Sequence, residues 1–158
     1  MAKNAVRVFL DSNVILSGLF SDKGAPRIIL DLLSLRLSAI AGLTGEYNII
    51  EIERNLTCKM PKVIPVYKRY FAKLNMKIVP LPSKAEVEKY TGHIADKDVP
   101  VLVSAINGRA DYLVTGDKKD FGKIKKGDNY PFKIVSPAEF LDSIAPEILK
   151  TVIAKEPA

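Results

Sequence analysis

The chain has no tryptophan, a single cysteine and a single histidine among its 158 residues. It also has no run of the ~18 apolar residues that a membrane-spanning helix needs. Each absence removes a class of function. Cys58 can form no internal disulfide and has no spacing partner for a metal site, so it reads as a small hydrophobe. His93 sits in a polar loop and reads as incidental rather than as a general base. Without tryptophan, and without a basic stripe interleaved with aromatics, a stacking platform for single strands is disfavoured. The N-terminal MAKNAV runs straight into an apolar stretch with no signal-peptide core, so a cytoplasmic protein with no membrane partner is expected. There is no repeat, low-complexity segment or linker, which sets the expectation of one domain over residues 1–158, with a tail from about Pro146 as a frayed helix.

What is present is a 47% apolar composition, enough for a real core, and a net charge of +6 from 24 basic and 18 acidic side chains. That balance suits a polyanionic partner such as nucleic acid, and fits equally a lysine- and glutamate-rich soluble surface. The segment VRVFL, residues 6–10, reads as a strand, apolar but for Arg7, that ends in Asp11. A strand without alternation is what a parallel sheet covered on both faces requires. In open α/β sheets the ligand crevice lies outside the carboxyl ends of the strands, where strand order reverses.

Along the rest of the chain, helical spacing and turn residues predict a first crossover helix from Pro26 to Leu37 and a strand from Ser38 to Leu43. A helix capped by Thr44 then runs to about Leu56, and another from Pro61 to about Asn75. Lys77 to Leu81 reads as an edge strand because it contains Pro80, and Ser83 caps a short polar helix ended near Gly92. An apolar helix from Val101 to Asn107 ends on Gly108. Asp111 to Thr115 and Phe132 to Val135 are strands, separated by a lysine-rich loop with a short helical turn. Ser136 and Glu139 stand at capping-box spacing before a last helix. Strands alternating with helices predict an α/β fold, three layers with a central, mainly parallel sheet of about five strands.

This topology brings acidic residues to one edge. Asp11 and Asp117 end neighbouring strands if the third strand lies outside the second. Asp98 starts the helix leading into the fourth strand, and Glu51 lies about two turns into the helix after the second. Four like charges repel unless cations share the site, and oxygen ligands without His or Cys select Mg²⁺ or Mn²⁺ over zinc. Such a site activates water and stabilises both oxygens of an in-line phosphoryl displacement, which predicts a phosphodiesterase. Asp98 and Asp117 also read as simple helix N-caps. On a helical wheel Glu51 falls on the polar face, whereas Glu53 lies nearer the Ile49, Ile52, Leu56 stripe. Asp96 and Asp120 lie close enough to support such ligands. Lys118, Lys119, Lys123, Lys125 and Lys126, with Lys68, Arg69 and Lys73, are candidates to guide a phosphate backbone, or else a solvated surface.

FLDSNVIL, GLTGEYNIIEIERNL, DKDVPVLVSAI and ADYLVTGDKKDF together resemble the four acidic motifs of the PIN domain, a Mg²⁺/Mn²⁺-dependent ribonuclease fold, in the family's order and spacing over nearly the whole chain. The resemblance implies metal-site and catalytic carboxylates at Asp11, Glu51, Asp98 and Asp117, with Asn13 and Thr115 as polar supporting groups. It selects Glu51 over Glu53, against the wheel. KKD after TGD has one more intervening residue than in many relatives, which leaves Asp120 without an assigned role. The resemblance further implies a metal-dependent endoribonuclease acting on RNA, with small members being toxins of VapC-type toxin–antitoxin pairs that form homodimers. Two alternatives stand beside it. One is a non-catalytic RNA-binding or partner-binding PIN-like module. The other is a phosphatase of the haloacid-dehalogenase type, which wants a second Asp where this chain has Asn13.

Overall fold

The strand β1 (Val6–Leu10) lies in the middle of a five-stranded sheet, paired in parallel with β2 (Ile40–Gly45) on one side and β4 (Tyr112–Val114) on the other. The strand β3 (Lys77–Val79) adds outside β2, and β5 (Lys133–Val135) outside β4, giving the order β3-β2-β1-β4-β5 with all pairs parallel. The chain therefore walks outward from β1 to β3, then returns to the other side of β1. The computed structural model describes residues 5–117, 119–125, 130–144 and 146, so the expected frayed tail falls almost wholly outside the described residues.

The apolar, non-alternating character of β1 follows from its surroundings. Val8 and Leu10 point into one core and Phe9 into the other, and all three are fully buried. The first core is closed by α1 (Ser12–Phe20), α2 (Ala25–Ser34), α3 (Glu46–Lys59) and α4 (Ile64–Lys73), together with a helix over 137–144 carrying Phe140 and Ile144. The second is closed by α6 (Val99–Asn107), with α5 (Lys84–Lys89) and α7 (Gly122–Lys125) beside it. Burying each of these large side chains contributes roughly 1.5–3 kcal/mol. This is the expected three-layer α/β/α arrangement. Among the described residues no helix is long and apolar enough to cross a membrane.

Three elements differ from expectation for identifiable reasons. The first crossover contains two helices, since α1 starts directly after β1, where sequence reading continued the apolar run without naming a helix. The helix expected from Pro61 to Asn75 is broken into a 3₁₀ turn (Pro61–Val63) and α4, restarted by Pro65 in its first turn. Thr44 is no cap. The strand β2 runs on to Gly45, and the fully buried Thr44 hydroxyl donates to the Leu10 carbonyl at 2.8 Å, tying β2 to the end of β1. Ser83 caps its helix as expected, with Glu86 completing a capping box, and the box expected at Ser136 with Glu139 forms. At the far edge the Arg7 guanidinium donates to the Gly108 carbonyl at 2.9 and 3.0 Å, placing a cation on the end of α6.

The α1–α2 contact depends on Gly18. A Cβ there would meet Leu30 Cδ1 at 2.5 Å and the Pro26 carbonyl at 3.0 Å, and Leu30 is fully buried. Alanine in a helix is favoured over glycine by about 1 kcal/mol, but overpacking a filled core costs about 1–3 kcal/mol. The steric effect wins. Gly18→Ala is expected to lower unfolding stability by about 1–2 kcal/mol in urea titration, and a stabilised variant would show that α2 can move away freely.

Candidate functional site

The carboxyl ends of β1 and β4 meet at the point where strand order reverses, and both turns there are polar. Asp11 leaves β1 in extended backbone and caps α1, its Oδ1 accepting from the Ser12 amide at 2.8 Å and from Asn48 Nδ2 at 3.2 Å. Its Oδ2 accepts from Thr115 Oγ1 at 2.8 Å and from Asn13 Nδ2 at 3.4 Å. Asn13 Oδ1 in turn accepts from the Gly116 amide at 3.0 Å, and Thr115 Oγ1 accepts from the Asp117 amide at 3.0 Å. One short network thus stitches the DSN turn to the TGD turn. Asn13 acts here as an amide bridge, using both donor and acceptor, a role that a second Asp could not fill. Burial pushes the Asp11 carboxyl up to about 6, opposed by the hydrogen bonds from Thr115 and Ser12 and assisted by the charges of Glu51 and Asp117.

Asp98 ends a 3₁₀ turn (Asp96–Asp98) and occupies the cap position of α6, yet its side chain makes no capping bond. That geometry removes the N-cap reading. Its Oδ2 is buried with no hydrogen-bond partner among the described residues. Burial pushes this carboxyl up to about 7, the Lys97 ammonium pulls it back, and Asp120, Asp117 and Asp11 raise it further. Asp117 spends Oδ1 on the amides of Lys119 and Asp120, at 3.1 and 2.9 Å, as a turn cap. Asp98, Asp117 and Asp120 each bring an oxygen to within 4.8 Å of the others.

A cleft of about 230 Å³ is lined by Asp11, Ser12, Asn13, Glu51, Asn55, Lys97, Asp98 and Asp117, among others. The structure therefore brings together all four carboxylates singled out from sequence. Glu51 enters from α3, its Oε1 accepting from Ser12 Oγ at 3.1 Å. Glu53 does not line this cleft; its charge, after burial, helps push the Tyr67 phenol up to about 12. The wheel misled because the face of α3 that looks into the cleft is itself polar. Asn48, Glu51 and Asn55 recur at helical spacing beside the apolar Ile52 and Leu56.

Asp96 is exposed and outside the cleft lining, and His93 is exposed, with Nδ1 3.0 Å from the Tyr130 hydroxyl, also outside it. Of the basic candidates, Lys119 and Lys123 are exposed near Asp117, and Lys68, Arg69 and Lys73 are exposed on α4 away from the cleft. Lys118, Lys126 and the Lys125 side chain lie outside the described residues. Two further groups join the site. Asp120, a supporting candidate whose spacing leaves it without an assigned role, is returned to the cluster because the Asp117-capped turn absorbs the extra residue. Lys97 reaches all three clustered carboxylates, and adjacency to Asp98 was its one sequence signal.

The donor set consists of hard oxygens alone, and the buried Asp98 Oδ2, which accepts no hydrogen bond among the described residues, sits with other carboxylates, so these residues fit a divalent cation of the Mg²⁺ or Mn²⁺ class. The family model described as PIN domain matches residues 7–119. The chain belongs to the PIN domain family. Its fold is shared with VapBC2 of Rickettsia felis, solved bound to a DNA fragment from its promoter, at TM-score 0.56 and 16% identity, covering 83% of this chain and 98% of that one. It is shared also with PAE2754 of Pyrobaculum aerophilum, at TM-score 0.59 and 15% identity, covering 91% of this chain and 94% of that one. A search of curated proteins finds no significant match. In this PIN domain the four acidic motifs of the sequence map onto one cleft at the β1/β4 edge.

Proposed function

We propose that this PIN domain is a Mg²⁺- or Mn²⁺-dependent endoribonuclease that hydrolyses RNA phosphodiester bonds, acting as the toxin of a toxin–antitoxin pair. The observation that carries this reading is the convergence of the Asp98, Asp117 and Asp120 carboxylates, with the buried Oδ2 of Asp98 accepting no hydrogen bond and having only the Lys97 ammonium, at 3.6 Å, as a counter-charge among the described residues. Three carboxylates around one exposed ammonium leave negative charge uncompensated, which binding a divalent cation relieves. Asp11, Asp98 and Asp117 would hold the ion, with Asp120 closing the cluster at its outer side. When bound, a divalent ion supplies the charge that activates water and offsets charge building on the phosphoryl oxygens.

The chain's own groups do the rest. Thr115 and Asn13 keep Asp11 Oδ2 aimed between the two turns, and Ser12 anchors Glu51 Oε1, leaving Oε2 to accept a hydrogen bond from a water in the cleft. Lys119 and Lys123 beside Asp117, and the net charge of +6, draw the RNA backbone to this edge. An antitoxin partner and a homodimer belong to the same reading, supported by the fold shared with VapBC2.

The test is cleavage of structured and single-stranded RNA by the full chain with Mn²⁺, with EDTA, and by Asp11→Asn. Cleavage is expected with Mn²⁺ alone and in the wild type alone. Equal activity in both proteins, or none in either with Mn²⁺ present, overturns the reading. Salt-dependent RNA binding without cleavage or Mn²⁺ uptake assigns a non-catalytic binding module instead.

A further inference from the structure

The acidic cluster contains a cation that belongs to the chain itself. Lys97 Nζ lies 3.2 Å from Asp120 Oδ2, 3.6 Å from Asp98 Oδ2 and 3.9 Å from Asp117 Oδ2. Its backbone is fixed, because the Lys97 carbonyl accepts from the Tyr47 hydroxyl at 3.0 Å and the Asp98 amide closes the 3₁₀ turn onto the Ala95 carbonyl at 2.8 Å. The side chain is not fixed in the same way. It is 68% exposed, whereas the carboxylates it touches are only 11–16% exposed, so an exposed arm reaches in from solvent to a sheltered cluster.

Oxygens from three carboxylates within 4.8 Å of one another leave room for a single cation among them. A Mg²⁺ ion needs its oxygen ligands at about 2.0–2.1 Å, closer than an ammonium comes, so the ion and Nζ cannot share the space. Displacing Nζ asks little of the fold, since rotation of a four-carbon stem returns it to water.

We propose that Lys97 is a tethered counter-cation that holds Asp98, Asp117 and Asp120 together in the metal-free chain and competes directly with the divalent ion, setting the concentration at which the site loads. The inference rests on the metal-site reading above and adds to it a residue that opposes loading.

Mn²⁺ titration of the metal-free full chain by calorimetry at low ionic strength tests it, on wild type, Lys97→Met, Lys97→Gln and Lys97→Arg. Losing an exposed ion pair worth up to about 1 kcal/mol predicts about fivefold tighter Mn²⁺ binding in Lys97→Met and Lys97→Gln. Lys97→Arg keeps the charge and should stay within about twofold of wild type. The gap between Lys97→Met and wild type should shrink in ~0.5 M salt, where screening weakens the competitor. Unchanged or weaker binding in both neutral variants overturns the proposal while leaving the metal site intact, and equal tightening in Lys97→Arg overturns it by assigning the effect to shape. No Mn²⁺ uptake by any of the four proteins overturns the metal site and the proposal together.

Discussion

Asp11→Asn is expected to lose RNA cleavage by at least about 10²-fold while keeping its fold and gaining stability without metal. The substitution preserves the shape of a side chain that is 5% exposed and ties two turns together. The Asn carbonyl still accepts from the Ser12 amide and from Asn48 Nδ2. Its amide nitrogen replaces the oxygen facing Thr115 and Asn13, which loses one good hydrogen bond and sets two amide groups against each other. That costs about 1 kcal/mol. Against it stands removal of a buried carboxylate whose pKa is pushed up to about 6, so that at pH 8 the wild type carries an ionised group its surroundings disfavour. The second effect is on the order of 2–3 kcal/mol and wins. Thermal unfolding in EDTA at pH 8 should place the variant a few degrees above wild type. A variant both inactive and markedly less stable would mean that Asp11 is chiefly structural.

The metal-free protein is also expected to lose stability as pH rises from about 4 to about 7, and to recover it with Mn²⁺. Asp11 and Asp98 both have folded values above the usual 3.8, at about 6 and about 7. A raised acid binds more protons folded than unfolded, so its contribution is fully present below the unfolded value and is lost as pH climbs through the folded one. Asp120, held below its usual range first by Lys97, works in the opposite sense and offsets part of this loss. The loss is at least the roughly 2–3 kcal/mol that Asp11 alone contributes, or at least about 5 °C in Tm for a chain of this size. A ligand at ~100 times its Kd contributes about 2.7 kcal/mol, so saturating Mn²⁺ at pH 8 should restore a comparable amount. The same protons compete with the ion, which makes loading, and cleavage with it, rise across pH 6 to 7. A Tm in EDTA that is flat or rising across this range would show that the two carboxyls are not raised together.

Most of the sheet is legible in the chain because its causes are local. Three consecutive apolar β-formers that do not alternate fit a strand covered on both faces, and Val8, Phe9 and Leu10 are covered so. Capping boxes at Ser83 and Ser136 are written into four consecutive residues, and both form. The helix α1 was not legible, because its apolar residues follow β1 without a break, and a short apolar run has no period that separates helix from strand. Thr44 was misread for a related reason. A threonine before a helix looks like a cap, and its bond to the Leu10 carbonyl exists only once β2 lies beside β1.

The sequence by itself determined the covered parallel sheet and the gathering of Asp11, Asp98 and Asp117 at one edge of it, and hence the edge at which a site could form. Only the tertiary structure decided how those carboxylates are used. The extra residue of the TGDKKD turn is taken up by the Asp117 cap, so Asp120 joins the cluster. Packing of α3 turns a polar stripe, and with it Glu51 rather than Glu53, toward the cleft. Most of all, Lys97 stands beside Asp98 in the chain as an ordinary surface lysine, and becomes a competitor for the site only because β1 and β4 bring Asp117 and Asp120 within reach of its ammonium. Strand propensity and burial act over neighbouring residues, whereas a cation's choice of carboxylates depends on distances that no stretch of sequence contains.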